Sequence, residues 1–201
     1  MPTASLSYYT NLGGLAIQAA LSRTASGQIS HQLTLAAGKQ STAWTKTDAN
    51  TGTATLASGH GIIQDDKVDV FWDGGVRYNM DALTVAGNDV TVDGGAGDDL
   101  PASDTTAVLC KVTELDTDFD GDLASLIVAH TSRRGHMTFL DSGDAVLHAV
   151  ELPADEGWYW ADEQGVTNPL TGNPVDRVQV SNGDPTNTST AKLGVLYDSE
   201  V

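Results

Sequence analysis

The run Asp116-Thr117-Asp118-Phe119-Asp120-Gly121 sets three carboxylates at alternate positions and follows them with a glycine. Oxygen ligands spaced this way can converge on a hard cation such as calcium, the glycine permitting the bend between them. A loop of this kind also takes a bidentate acid at its twelfth position, and that place is held by Ile127. Asp116, Asp118 and Asp120 are therefore an incomplete calcium set, weighed against a solvated acidic linker. Gly94-Gly95-Ala96-Gly97-Asp98-Asp99 matches one unit of the glycine/aspartate repeat of calcium β-rolls. A single unit has no neighbouring turn to share an ion with, so it reads as a loop between strands.

The five histidines (His31, His60, His130, His136 and His148) have neither the spacing of a zinc helix nor a cysteine pair beside them. His130 and His136 flank Arg133-Arg134, the only local basic cluster, which suits either a solvated turn or an acidic patch on a partner subunit. No nucleophile elbow, phosphate loop or dinucleotide fingerprint is present, and no enzymatic activity or cofactor is expected. Trp158-Tyr159-Trp160 is the densest aromatic run. In a strand it puts Trp158 and Trp160 on one face and Tyr159 on the other, which suits a sugar platform or, more readily, a core and an interface.

The elements that must carry these residues read as strands throughout. Gln28 to Leu35 alternates, with Ile29, His31, Leu33 and Leu35 on one face. Trp44 and Leu56 are the large anchors of a Thr/Ala-rich stretch. Lys67 to Trp72 places Val68, Val70 and Trp72 together. Asp73-Gly74-Gly75 reads as a hairpin turn with positive φ, and Gly87-Asn88 as a second turn. His136 to Leu140 and Ala145 to Leu152 flank the turn residues Asp141-Ser142-Gly143-Asp144. Val175 to Val180 and Ala191 to Tyr197 follow as strands, with Asn182 to Thr190 an exposed polar loop between them. The predicted fold is all-β: a small antiparallel β-barrel followed by a second β-sandwich-like or barrel domain. Its divisions are an N-terminal arm at 1–14, a barrel at 15–113 and a second domain at 122–201.

Composition narrows the partners. Of 201 residues, 27 are acidic and 10 basic, giving a net charge of -17. Binding DNA requires cationic side chains to replace condensed counterions, so nucleic acid is not an expected partner. The lone cysteine, Cys110, excludes an intrachain disulfide and sits in an apolar run as a buried thiol. No signal peptide and no apolar run long enough to cross a membrane is read, so synthesis in the host cytoplasm is expected.

Gly59-His60-Gly61, Asp66, Val68 and Val70 form a "GHG, spacer, D-x-V-x-V" pattern that resembles a small β-barrel module of tailed-bacteriophage virion proteins. The resemblance extends through Trp72-Asp73-Gly74-Gly75-Val76-Arg77-Tyr78 and Asp93 to Pro101, and covers about residues 55–110. Asp65-Asp66 stands where the pattern has Gly-Asp. The resemblance implies a non-enzymatic virion protein, a capsid decoration or cement subunit on the outer head surface. Its implied partners are the major capsid protein and copies of itself, as a trimer or hexamer. A tail-tube or head–tail adaptor subunit and a carbohydrate-binding module are the alternatives. Interface candidates are Trp158, Tyr159, Trp160, Arg133, Arg134, and Tyr8 and Tyr9 in the arm.

Overall fold

The computed structural model describes residues 4–12, 15–23, 25–95, 100–116, 124–161, 170 and 175–198; the side chains of 4–30, 116, 124–126, 161 and 196–198 fall outside that description. Within these residues every regular element is a strand, so the expected all-β class holds. The chain forms two compact units. One takes residues 1–35, 114–180 and 189–201, and the other takes 36–113 and 181–188. The change of unit between Thr113 and Glu114 falls where the sequence turns acidic, while 1–35 and 181–188 each join segments distant in the chain.

The first three strands are β1 (Ala4–Leu12), β2 (Leu15–Arg23) and β3 (Ala25–Leu35). β1 and β2 pair residue for residue, from Ala4↔Arg23 to Leu12↔Leu15, as a separate two-stranded sheet. The N-terminal arm expected at 1–14 thus includes one half of a hairpin. Its own residues lack a clear period, and the pattern emerges only when the two strands are read in register.

The second unit contains β4 (Lys39–Gln40), β5 (Ala43–Lys46), β6 (Thr51–Thr55), β7 (Lys67–Trp72), β8 (Gly75–Ala86), β9 (Asp89–Asp93) and β10 (Val108–Lys111). They lie in the order β4-β10-β7-β8-β9-β6-β5. Among the described residues no ladder joins the two ends, so the expected barrel is an open, curled sheet. One continuous stretch of chain nonetheless serves both edges. Gln40 pairs with Val108 and Ala43 with Thr55, and between them the amides of Ser41 and Thr42 donate to the carbonyls of Ala107 (2.7 Å) and Thr55 (2.8 Å). The long strand β8 is irregular twice, between the pairs at Val68/Val70 and again at Ala82/Thr84. Such irregularities bend a strand and increase its twist, which turns this sheet toward itself. Trp44, Val68, Val70, Met80, Ala82, Val90, Val92 and Leu109 fill the enclosed face.

The turn at Asp73-Gly74 corrects an expectation. Trp72 pairs with Gly75, but none of Asp73, Gly74 and Gly75 has positive φ. The glycines serve a different purpose: a Cβ on Gly74 or Gly75 would lie 3.2 or 3.0 Å from the Trp72 indole. Gly87, at φ 65°, does supply the left-handed first position of its two-residue turn.

The first unit continues with β11 (Thr113–Asp116), β12 (Ala124–Thr131), β13 (Gly135–Leu140), β14 (Val146–Leu152), β15 (Gly157–Ala161), β16 (Arg177–Asn182) and β17 (Ser189–Asp198). Two four-stranded sheets, β11-β16-β13-β14 and β15-β12-β17-β3, share one core. Met137, Phe139, Leu152, Val178 and Val180 come from one sheet; Leu35, Ile127, Trp160, Leu193 and Val195 come from the other. This is the sandwich form of the predicted second domain. The Asp141–Ala145 turn is held as expected, with the Asp141 carboxylate accepting the amides of Gly143 (2.8 Å) and Ala145 (2.9 Å).

Candidate functional site

The aromatic strand lies at a sheet edge, because among the described residues β15 pairs only with β12. Alternation places its side chains as read from the sequence. Trp160 is buried in the sandwich core, while Tyr159, on the other face, is 47% exposed. Trp158 is half-buried and packs at a tilt against His148 (ring centroids 5.4 Å) and Phe139 (6.1 Å). Trp158 and Trp160 are therefore engaged by the core and do not form an open sugar platform, and Tyr159 is the residue of the run that faces outward.

The Arg133-Arg134 turn connects β12 to β13. Arg134 pairs with Glu151 of β14 at 2.7 Å, and the amide of Arg133 donates to Ser189 Oγ at 3.2 Å. The flanking histidines do not extend this basic pair. His136 is buried, its Nδ1 3.2 Å from Thr138 Oγ1. His130 is half-buried with Nδ1 unpartnered, and burial together with nearby Lys192 lowers its pKa. Burial likewise lowers the pKa of His148, whose Nε2 has no partner. His60 is a turn residue: Nδ1 accepts the Ile62 amide and Nε2 donates to the Gly87 carbonyl, both at 3.2 Å, between Gly59 and Gly61 at positive φ.

Tyr8 and Tyr9 lie on β1, where side chains are not described. Asp116 ends β11, and Asp118 and Asp120 lie outside the described residues. No group of metal-ligating side chains is found among the described residues.

Sequence reading missed a buried polar strap in the curled-sheet unit. Residues 181–188 lie against β7 and β10. Asp69, only 1% exposed, accepts the Ser181 hydroxyl at 2.5 Å and the Asn79 amide at 2.7 Å. Asn79 sits at φ 56° beside the strand irregularity, and Asp69 supplies the acceptor that the interrupted ladder does not. The Cys110 thiol donates to the Asn182 carbonyl at 2.8 Å, and Gly183 lies so close to Phe71 that a Cβ there would be 2.8 Å from its ring. The expected exposed loop at Asn182–Thr190 is therefore corrected: Asn182, Gly183 and Ser189 are buried, and 186–188 are exposed. Burial works against the Asp184 carboxylate, but the amides and side chains of Thr186 and Asn187 bring its pKa down to about 2. The strap lies far in sequence from its partners Asp69, Phe71 and Cys110, so only its polar and small residue types were visible.

A shallow cleft lined by Ser41, Thr42, Trp44, Asp104 and Thr105 is also in this unit. Two of its hydroxyls are already in use: Ser41 Oγ accepts the Ala107 amide, and Thr42 Oγ1 donates to Thr55 O. What the described geometry offers for recognition is a set of surface features: an edge strand with an outward tyrosine, a basic turn, and two exposed aliphatics, Ile63 and Leu83.

The class these observations define is an all-β protein of two units, a curled sheet and a four-on-four sandwich. No family model and no curated protein matches the chain. Among solved structures, the crystal structure of the STIV MCP, a viral major capsid protein, aligns over 98% of this chain and 96% of that one, with a TM-score of 0.26 and 8% identity. That likeness is too slight to carry a fold or a function across.

Proposed function

We propose that the chain is a non-enzymatic virion structural protein that decorates and braces a phage head lattice. The observation that carries this reading is the allocation of polar and aromatic side chains. Asp69, Ser181, Cys110 and His136 are tied into internal hydrogen bonds, while Tyr159 stands outward on an edge strand. Groups fixed in this way hold loops and strands in place. Recognition is left to sheet edges and exposed side chains, as in binding by surface complementarity. The resemblance of residues 55–110 to virion modules supports the setting, and the net charge of -17 favours an outer surface over contact with packaged DNA.

Mixing the purified chain with empty heads and sedimenting them tests the reading. Co-sedimentation that saturates at a fixed ratio to the major capsid protein is expected. Recovery on isolated tails alone assigns a tail-tube or adaptor role instead, and recovery on neither contradicts a virion role.

A further inference from the structure

We infer that His148 is an acid-sensitive latch on one flank of the sandwich, and that its departure from its ring contacts releases strand β15 from β14. These two strands are the edges of opposite sheets: among the described residues β14 pairs only with β13, and β15 only with β12. They lie side by side with no ladder between them, so side chains close that flank. Alternation assigns β14 its core-facing row, with His148, Val150 and Leu152 opposite Phe139, Met137 and Gly135 of β13. Every side chain in that row apart from His148 is apolar. Between ring centroids, His148 lies 6.0 Å from Phe139 and 5.4 Å from Trp158, and Trp158 lies 6.1 Å from Phe139. The three rings form a triangle that ties β13, β14 and β15 together. A titratable ring in an apolar row breaks the local pattern, as residues with a switching role do.

The buried nitrogen makes the latch sensitive to acid. His148 Nε2 has no hydrogen-bond partner. A neutral imidazole can keep a bare lone pair there, but a protonated one must bury a charged N–H with nothing to accept it. Among the described residues no charged group offsets that cost, and burial alone lowers the His148 pKa. Glu151 lies on the opposite face of β14, where it pairs with Arg134. At the β13–β14 turn, Asp144 pairs with Arg177 and Asp141 accepts the turn amides. Trp158 and Trp160 are what β15 brings to the core side. His130 is on the outer face of β12, beside Lys192 and Asp155. Below pH 6.5 a ring that has swung into water takes a proton that the closed ring refuses, so acid populates the open form. The strand then released carries the outward Tyr159. The latch belongs to the sandwich and does not depend on the virion role.

Hydrogen exchange on the full chain, read by mass spectrometry and corrected for the intrinsic effect of pH, tests the latch. It is followed from pH 7.5 to about pH 5.5, still above the chain's pI of about 4.2. Amides of 146–152 and 157–161 are expected to exchange several-fold faster in acid, by at most about tenfold per pH unit below 6.5. Amides of β7 and β9, in the other unit, stay within about twofold. His148→Phe keeps three rings without a titratable nitrogen and removes the gain. His130→Gln, which deletes the other half-buried histidine near β15, retains it. Should His148→Phe fail to fold, NMR titration of the imidazoles in the unaltered chain decides: His148 protonates below pH 6.5, in step with the gain in exchange. No gain in acid, a gain that survives in His148→Phe or disappears in His130→Gln, or a His148 that titrates at or above 6.5 or out of step with exchange overturns the inference.

Discussion

Asp69 shows how one buried carboxylate organises residues remote in sequence. Two of its donors, the Ser181 hydroxyl and the Asn79 amide, lie 112 and 10 positions away. Removing the acceptor strands both in a dry site, and each unsatisfied buried donor costs about 1–3 kcal/mol. Asp69→Ala is therefore expected to lower stability by about 2–5 kcal/mol, read as the shift of a urea midpoint at constant slope. Histidine gives a pH effect of known sign. His130 and His148 both have folded pKa values below the ordinary 6.5. Above 6.5 neither state binds the proton and their stability contribution is complete. As pH falls through 6.5 toward the folded values, the unfolded chain takes up protons first and stability is lost. His148→Phe, which keeps an aromatic ring between Phe139 and Trp158, should lose less melting temperature than wild type between pH 7.5 and pH 5.5. An equal loss in the two proteins would show that His148 does not contribute.

At the scale of the element, close approach of backbone to rings sets the tolerances. The strap at Gly183 lies against Phe71, and a methyl group there must displace a packed ring. Gly183→Ala is expected to cost about 1–3 kcal/mol by overpacking, measured by thermal unfolding. Tyr159→Ser on the edge strand should change stability by less than about 0.5 kcal/mol, because the side chain is largely in water, while weakening co-sedimentation with heads. Strands with local signals were legible in the sequence. Alternation marked β3 and β16; two-residue turns marked the hairpins β7–β8 and β8–β9; and Asp141 to Asp144 marked the turn from β13 to β14. The strap was not legible, since residues 181–188 have ordinary loop composition and their partners Asp69, Phe71 and Cys110 lie elsewhere in the chain. The Asp73-Gly74 turn was located but misexplained. Its glycines accommodate an indole, and turn composition alone does not show what packs on a turn. The outward tyrosine followed from alternation, whereas the core's capture of Trp158 and Trp160 needed the opposing sheet to be seen.

At the scale of the whole molecule, the unequal distribution of charge matters most. An acid-free opening segment precedes a strongly acidic remainder, and the total of -17 resists nonspecific association. Added salt screens that repulsion over about 8 Å at physiological strength. Association built on Arg133-Arg134 pairing with acidic residues should accordingly weaken as salt rises, whereas association built on apolar contact should strengthen or stay level; light scattering at low and high salt separates the two. All-β architecture and two cores were legible from composition and strand spacing, but the exchange of segments between units was not, because it depends on which distant strands pair. The proposed role, a structural protein of a virion, is tested most directly by cryo-electron microscopy of particles purified from a culture that produces this chain, after mass spectrometry of those particles. The account predicts two-unit β density repeated on the outer head lattice, fitting the curled sheet and the sandwich. Purified particles that lack the chain altogether would contradict it.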